Sequence, residues 1–262
     1  TGDLSTRYIL SESDRAIATL IAKDDGIVSG LEVAYMVLCR CTPEEEITFT
    51  SEYEDGDEVR KGDILATIEA PYAELLRAER IMLNFMQRMS GIATYTHQCV
   101  QCVAGTKTQI LDTRKTAPGH RLTDKMAVRD GGGTNHRASL SDMVMLKDNH
   151  IAMAGGILPA VEEVRPNLPI SILIEVETTT LEEVQEALDA GADIIMLDNM
   201  DIETMRRAVV LINGQAKVEA SGNMTVERLA SVAAVGVDYI SIGALTHSVR
   251  AFDISMKIKP IQ

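Results

Sequence analysis

The alternation of apolar and polar positions changes character along the chain. Up to about residue 70 the apolar positions come in short stretches between turn residues. Ile47-Thr-Phe-Thr alternates like a strand, whereas periodicity alone leaves the apolar run Val33-Ala-Tyr-Met-Val-Leu as strand or helix. From Ala73 to about Ala104 the period becomes helical. Leu75, Leu76, Met82, Leu83, Met86 and Met89 fall near i, i+3, i+4, i+7 spacing, and Gly91 offers a break into two helices. Beyond that a longer repeat takes over. Gln109-Ile-Leu, Met143-Val-Met-Leu, Ile170–Glu177, Ala192–Asn199, Ala216–Gly222 and Val237–Ala244 read as buried strands. Leu181–Ala190, Ile202–Ile212 and Val226–Val235 read as amphipathic helices between the later ones. The polar residues closing those later strands, Glu177, Asp198, Glu219 and Ser241, lie 21, 21 and 22 residues apart. A β-then-α unit repeated at that interval implies a parallel sheet, because each helix provides the crossover. Closed on itself such a sheet is an α/β barrel, with its active site at the strand C-termini.

Charge adds chemistry to this scaffold. The chain nets −14, yet residues 112–150 hold seven Lys or Arg, three of the five His and no Glu. Against five Asp this stretch nets +2, so the remainder nets −16. A cationic island in an acidic protein implies an anionic ligand. Pro118-Gly119 and Gly131-Gly132-Gly133 divide the island into loops. One set of strand ends therefore offers Arg114, Lys115, His136, Arg137 and Lys147, and the other offers Glu177 and Asp198, followed by Ser221, Gly222, Gly243 and Ala244. Cations hold carboxylates or phosphates, Arg as a bidentate fork. Two hard carboxylates suit a Mg²⁺ that keeps waters and binds substrate phosphates. Ser-Gly and Gly-Ala let backbone N–H groups approach a phosphate. The pattern points to a ligand carrying both phosphate and carboxylate groups. Taken singly, Glu177 and Asp198 read equally well as strand-to-helix caps, and Arg77, Arg80 and Arg88 as a solvated helix face.

Composition narrows the classes. No apolar run approaches the roughly 20 residues that span a bilayer, and no signal-peptide pattern is present, so a soluble cytoplasmic protein is expected. Net acidity argues against nucleic acid. Cys39, Cys41, Cys99 and Cys102 read as reduced thiols, because the first pair is too closely spaced for a usual zinc site. The stretch Tyr53–Pro71 resembles the hairpins of lipoyl and biotinyl carrier domains, but Lys61 precedes Gly62 in the wrong turn, which leaves a sandwich-like hammerhead used as architecture. The chain opens at Thr1-Gly2-Asp3 without Met, and a few further leading residues are expected.

Several motifs in one order then converge on a family. Asp112-Thr-Arg-Lys-Thr, Gly131-Gly-Gly-Thr-Asn-His-Arg, Leu146-Lys-Asp-Asn-His, Glu175-Val-Glu, Leu197-Asp-Asn, Ser221-Gly and Ile242-Gly-Ala-Leu-Thr-His-Ser closely resemble the quinolinate phosphoribosyltransferases. Gly2-Asp-Leu-Ser and Ala78-Glu-Arg-Ile-Met-Leu-Asn extend the likeness over essentially the whole chain. Ala117 stands where Thr or Leu is more usual and His120 where Leu is common, neither at a catalytic position.

The resemblance implies an N-terminal α/β sandwich domain over 1–104 and an incomplete, open α/β barrel over 105–250. A C-terminal segment, 251–262, is expected to return to the first domain. It implies transfer of phosphoribosyl from phosphoribosyl pyrophosphate to quinolinate with decarboxylation, dependent on Mg²⁺. It further implies a homodimer, or a higher assembly of dimers, in which one subunit caps the other's barrel. By position, Arg114, His136, Arg137 and Lys147 look like the quinolinate pocket, and Arg80 like an arginine lent by the partner. Lys115 looks like a pyrophosphate ligand, and Glu177 and Asp198 like ribose and Mg²⁺ ligands. Ser221, Gly222, Gly243 and His247 look like the phosphate cradle. Lys115, Lys147, Glu177 and Asp198 form the expected catalytic group. The alternatives are a paralogue of the same fold with another acceptor, such as those of molybdenum loci, and a carrier module built on the hairpin.

Overall fold

The computed structural model describes residues 3–11 and 13–261, so Gly2 of the first motif lies outside the described residues. In chain order the elements are β1 Arg15–Ala22, β2 Gly26–Ile27, α1 Leu31–Leu38, β3 Thr48–Thr50, β4 Glu58–Val59, β5 Ile64–Pro71 and α2 Tyr72–Cys102. Then come β6 Gln109–Leu111, α3 Arg121–Asp130, β7 Val144–Leu146, α4 Asp148–Ala154, α5 Ile157–Val164, β8 Ile174–Thr178 and α6 Leu181–Asp189. The chain closes with β9 Ile194–Asp198, α7 Ile202–Ile212, β10 Lys217–Ser221, α8 Val226–Ala233, β11 Tyr239–Ser241, α9 Ala244–His247 and β12 Ile254–Pro260. These elements form two compact units, one from Thr1–His97, Pro118–Gly132 and Ser248–Gln262, the other from Gln98–Ala117 and Gly133–His247.

The first unit is built on an antiparallel sheet of order β12-β1-β5-β3. Its strands alternate as a one-sided sheet should: Ala16, Ala18, Leu20 and Ala22 of β1 are all buried, and Ile68 and Ala70 of β5 join them. That face packs on Leu31, Ala34 and Leu38 of α1 and on Leu75, Ala78, Met82 and Met86 of α2. The ambiguous run 33–38 is therefore helix. β4 pairs with β2 and not with β5, so the strands flanking the Lys61-Gly62 turn belong to different sheets and no carrier-type hairpin forms.

Gly91 does not break the long helix: α2 runs unbroken through 31 residues. A Cβ at Gly91 would stand 2.2 Å from the carbonyl oxygen of Arg250, so the missing side chain serves a close backbone approach. The family resemblance implied a barrel over all of 105–250, but α3 clusters with the first unit. The Arg88 guanidinium donates to both oxygens of the fully buried Asp124 at 2.8 Å and ties α3 to α2. Removing Arg88 leaves the buried Asp124 carboxylate uncompensated, at about 3–5 kcal/mol.

The second unit is a parallel sheet of order β6-β11-β10-β9-β8-β7. β6 and β7 are its two edges, so the barrel stays open. α6 buries Val184 and Ala187, α7 Met205, Ala208 and Ile212, and α8 Leu229, Val232 and Ala233. Each set repeats at i, i+3, i+4 or i+7, which is the stripe a crossover helix lays on a sheet. Thr180 and Asp201 cap α6 and α7 by accepting from the N–H groups of Glu183 and Thr204. β8 begins four residues later than the apolar run suggested, because Ile170 is fully exposed in a turn closed by Ile172 N–H to Pro169 carbonyl. All four cysteines are free, and among the described residues no helix is long and apolar enough to cross a membrane.

Candidate active site

The strand C-termini of the second unit surround a cavity of about 730 Å³. Alternate residues of the strands line it in two layers: Met145 below Lys147, Met196 below Asp198, Glu219 below Ser221, and Ser241 below Gly243. Eleven residues singled out from the sequence meet here: Arg114, Lys115, His136, Arg137, Lys147, Glu177, Asp198, Ser221, Gly222, Gly243 and His247. Arg80 is not among them. It lies on α2 in the first unit, with its side chain 70% exposed and Glu79 at 3.7 Å.

Arg114 and Lys115 lie in the loop after β6, His136 and Arg137 in the loop before β7, and Lys147 directly after β7. The Arg137 Nη1 donates to the carbonyl of Met143 at 2.9 Å. Burial, and then the neighbouring charge of Arg114, lower its proton affinity from the usual guanidinium value. Such a pair of crowded cations gains by receiving an anion. Lys147 Nζ donates to Glu177 Oε2 at 2.7 Å, so the two chemistries expected on opposite sides of the mouth are joined by an ion pair. Lys115 is fixed through its carbonyl, which accepts from the Thr246 hydroxyl at 2.9 Å.

His136 is held from several directions. Its backbone N–H donates to Asp112 Oδ1 at 2.8 Å, and its Nδ1 accepts the Arg137 N–H at 2.7 Å. Its Nε2 lies 3.2 Å from Glu175 Oε2 and 3.3 Å from Glu219 Oε2. Both ring nitrogens are thus engaged within the protein. Burial opposes charging this ring, but the two carboxylates outweigh it and raise the imidazole to about 10. Burial and then the charge of Glu219 raise Glu175 to about 7. The Arg137 N–H aimed at Nδ1 fixes the ring tautomer: an accepting Nδ1 carries no proton, so the ring proton sits on Nε2, facing the two carboxylates.

The carboxylate side is shaped by small residues and left-handed backbone. Asn199 and Asn223 have φ of 54° and 49°, and Gly222 has φ of 90°. Asp198 Oδ2 accepts from Asn199 Nδ2 at 2.7 Å, and Asn199 Oδ1 accepts from Asn223 Nδ2 at 3.0 Å. A Cβ on Gly222 would stand 2.9 Å from the Asn199 backbone nitrogen, and one on Gly243 would stand 3.1 Å from Lys115 Cδ and His247 Cδ2. At both positions glycine keeps neighbouring groups in van der Waals contact with bare backbone. Glu175, Glu219, Asn199 and Asn223 were not chosen as site residues from the sequence, although Glu219 stood in the strand-end series and Asn199 beside Asp198.

Two family descriptions between them match nearly the whole chain. Residues 3–90 match the family described as quinolinate phosphoribosyl transferase, N-terminal domain, and residues 92–257 match its C-terminal domain. The chain belongs to the quinolinate phosphoribosyltransferase family. It is 43% identical over 261 residues to the probable nicotinate-nucleotide pyrophosphorylase [carboxylating] of Bacillus subtilis (strain 168), covering 98% of this chain and 88% of that one. It is 44% identical over 275 residues to a mitochondrial quinolinate phosphoribosyltransferase [decarboxylating] 2b of Nicotiana tabacum, covering 98% and 77%. The crystal structure of NadC from Streptococcus pyogenes superposes with a TM-score of 0.95 at 40% identity, covering 100% of this chain and 92% of that one. In this phosphoribosyltransferase chain the seam between the two family domains falls at Gly91, inside the continuous helix α2.

Proposed function

We propose that the chain transfers the phosphoribosyl group of phosphoribosyl pyrophosphate to the ring nitrogen of quinolinate, giving nicotinate mononucleotide, pyrophosphate and CO₂ in NAD biosynthesis. The observation that carries this is one cavity in which Arg114, Arg137 and Lys147 stand with two carboxylates, Glu177 and Asp198, and two bare-backbone turns at Gly222 and Gly243. Quinolinate is a planar dianion, and fixed guanidinium forks recognise both carboxylates. The donor is an anionic phosphate ester, suited to Lys115, His247 and the N–H groups near Ser221, Gly222 and Gly243.

The ring nitrogen bonds to C1′ as pyrophosphate departs with the bonding pair, and Lys115 stabilises charge on that leaving group. C1′ becomes oxocarbenium-like between these states, which nearby carboxylates tolerate. Alkylation leaves the ring nitrogen positive. When the C2–carboxylate bond breaks and CO₂ leaves, the electron pair stays on C2 beside that positive charge and then takes up a proton.

Glu177 and Asp198 fit a magnesium ion. They are hard oxygen donors at the ends of adjacent strands, both partly exposed in a cavity with room for waters. When bound, Mg²⁺ supplies Lewis-acid neutralisation of the phosphate oxygens.

The acceptor is tested by incubating the protein with phosphoribosyl pyrophosphate, Mg²⁺ and either quinolinate or nicotinate. Quinolinate should be turned over in strong preference, because the cationic side exceeds what one carboxylate requires; equal or faster turnover of nicotinate sinks the proposal.

We infer as well a dimer whose partner lends Arg80. Its support is that Arg80 is 70% exposed, with Glu79 no nearer than 3.7 Å, yet falls in the matched Ala-Glu-Arg motif. A C2 dimer supplies such a cation twice. Arg80→Ala and Lys147→Ala should each be inactive. After mild dissociation and mixing, half the dimers carry one working site of two, so about one quarter of wild-type activity should return. A mixture that stays inactive after confirmed subunit exchange excludes action in trans.

A further inference from the structure

Beneath the barrel mouth lie two carboxylates that the reaction above does not use. The period of two along β8 and β10 sets Glu175 under Glu177 and Glu219 under Ser221. Glu175 is 0% and Glu219 1% exposed, and both carboxylate oxygens of Glu175 and Oε1 of Glu219 have no hydrogen-bond partner among the described residues. Burying two carboxylates is costly, and apolar side chains would fill the same volume. What these two do make is a pair of contacts, at 3.2 and 3.3 Å, to one atom: Nε2 of His136.

His136 joins this floor to the mouth. Its own N–H is tied to Asp112, its Nδ1 receives the Arg137 N–H, and the Arg137 side chain runs to the Met143 carbonyl. Rotation of the ring would break the Nδ1 contact and free the backbone from which the Arg137 guanidinium departs. The charged groups around the ring are therefore Asp112, Arg137, Glu175 and Glu219, with Arg114 acting on Arg137. We propose that Glu175 and Glu219 are positioning residues for the acceptor half of the site: they anchor the His136 imidazole from below and, through it, hold Arg137 where an ortho-dicarboxylate meets it. The naming of quinolinate as that dicarboxylate rests on the functional reading above; the anchoring does not. The same three ligand atoms lie within 4.8 Å of one another and could surround a metal ion, so metal content enters the test.

The test is a double-mutant cycle of Glu219→Gln and His136→Gln, read by calorimetry with three probes. Quinolinate is one and phosphoribosyl pyrophosphate with Mg²⁺ the second. Phthalate, an ortho-dicarboxylate without the reacting nitrogen, is the third. Glu219→Gln should weaken both dicarboxylates by about tenfold or more and phosphoribosyl pyrophosphate by less than about twofold. His136→Gln should weaken the dicarboxylates as much, and the double variant should be no weaker than His136→Gln alone. Should Glu219→Gln melt below assay temperature, Glu175→Gln runs the same cycle on the same Nε2. Additive losses, equal loss for the dicarboxylates and phosphoribosyl pyrophosphate, or undiminished dicarboxylate binding overturn the proposal. So does one equivalent of transition metal in the purified wild type. Wild type that binds phthalate with this coupling but does not turn over quinolinate overturns the functional reading and leaves the anchoring standing.

Discussion

Arg137→Ala should lower kcat/KM for quinolinate by about 2–5 kcal/mol, roughly thirtyfold to several thousandfold, with KM raised as well. The arginine is half-buried, pinned by the Met143 carbonyl, and crowded by Arg114. An incoming carboxylate relieves that crowding and finds a donor already in place, so little ordering is left for the binding step. Truncation removes the fork and leaves one substrate carboxylate facing fewer donors. Steady-state kinetics with quinolinate varied at saturating phosphoribosyl pyrophosphate measures the loss. An Arg137→Ala enzyme within twofold of wild type removes Arg137 from the acceptor pocket.

Asp198→Asn should act on the other substrate. Glu177 is already engaged by Lys147, whereas among the described residues Asp198 accepts the Asn199 amide and lines the cavity. It is therefore the carboxylate more available to a cation, and its neutralisation should weaken phosphoribosyl pyrophosphate by about 10- to 100-fold and flatten the Mg²⁺ dependence. The substituted amide also presents either a second donor to Asn199 Nδ2 or a rotated group, which disturbs the run from Asp198 through Asn199 to Asn223. Quinolinate affinity should stay nearly intact. Calorimetry in which quinolinate binding falls as far as phosphoribosyl pyrophosphate binding would show that the cationic and carboxylate sides do not act separately.

The parts of this molecule that repeat locally were legible in the sequence. The strand-end spacing from Glu177 to Ser241 is a property of neighbouring β-then-α units, and the parallel sheet follows from it. The meeting of Arg114, Lys147, Asp198 and Gly243 follows in turn, because strand C-termini of such a sheet face one way. What stayed hidden depends on partners far along the chain. Gly91 looks like a helix breaker until the Arg250 carbonyl is seen against it. The fate of α3 turns on Arg88 reaching Asp124. Glu219 was visible as a strand end, but only the register of β10 against its neighbours turns it inward to His136. The Lys147–Glu177 pair joins residues assigned to different substrates, and charge type alone cannot reveal such a contact.

The pairing of β1 with β12 sets an order of events during synthesis. Ala22 leaves the ribosome 232 residues before its partner Ile254. At about 5–20 residues per second that is a wait of roughly 10–50 s. Throughout it, one edge of β1 offers unpaired N–H and C=O groups, a template for strands of other nascent chains. The first unit therefore starts to form before the barrel but cannot be finished before it: the strand β12 that seals its sheet follows every element of the barrel along the chain. Chaperone dependence at high expression rates, relieved by lowering the number of nascent chains made at once, is the cellular consequence of that connectivity.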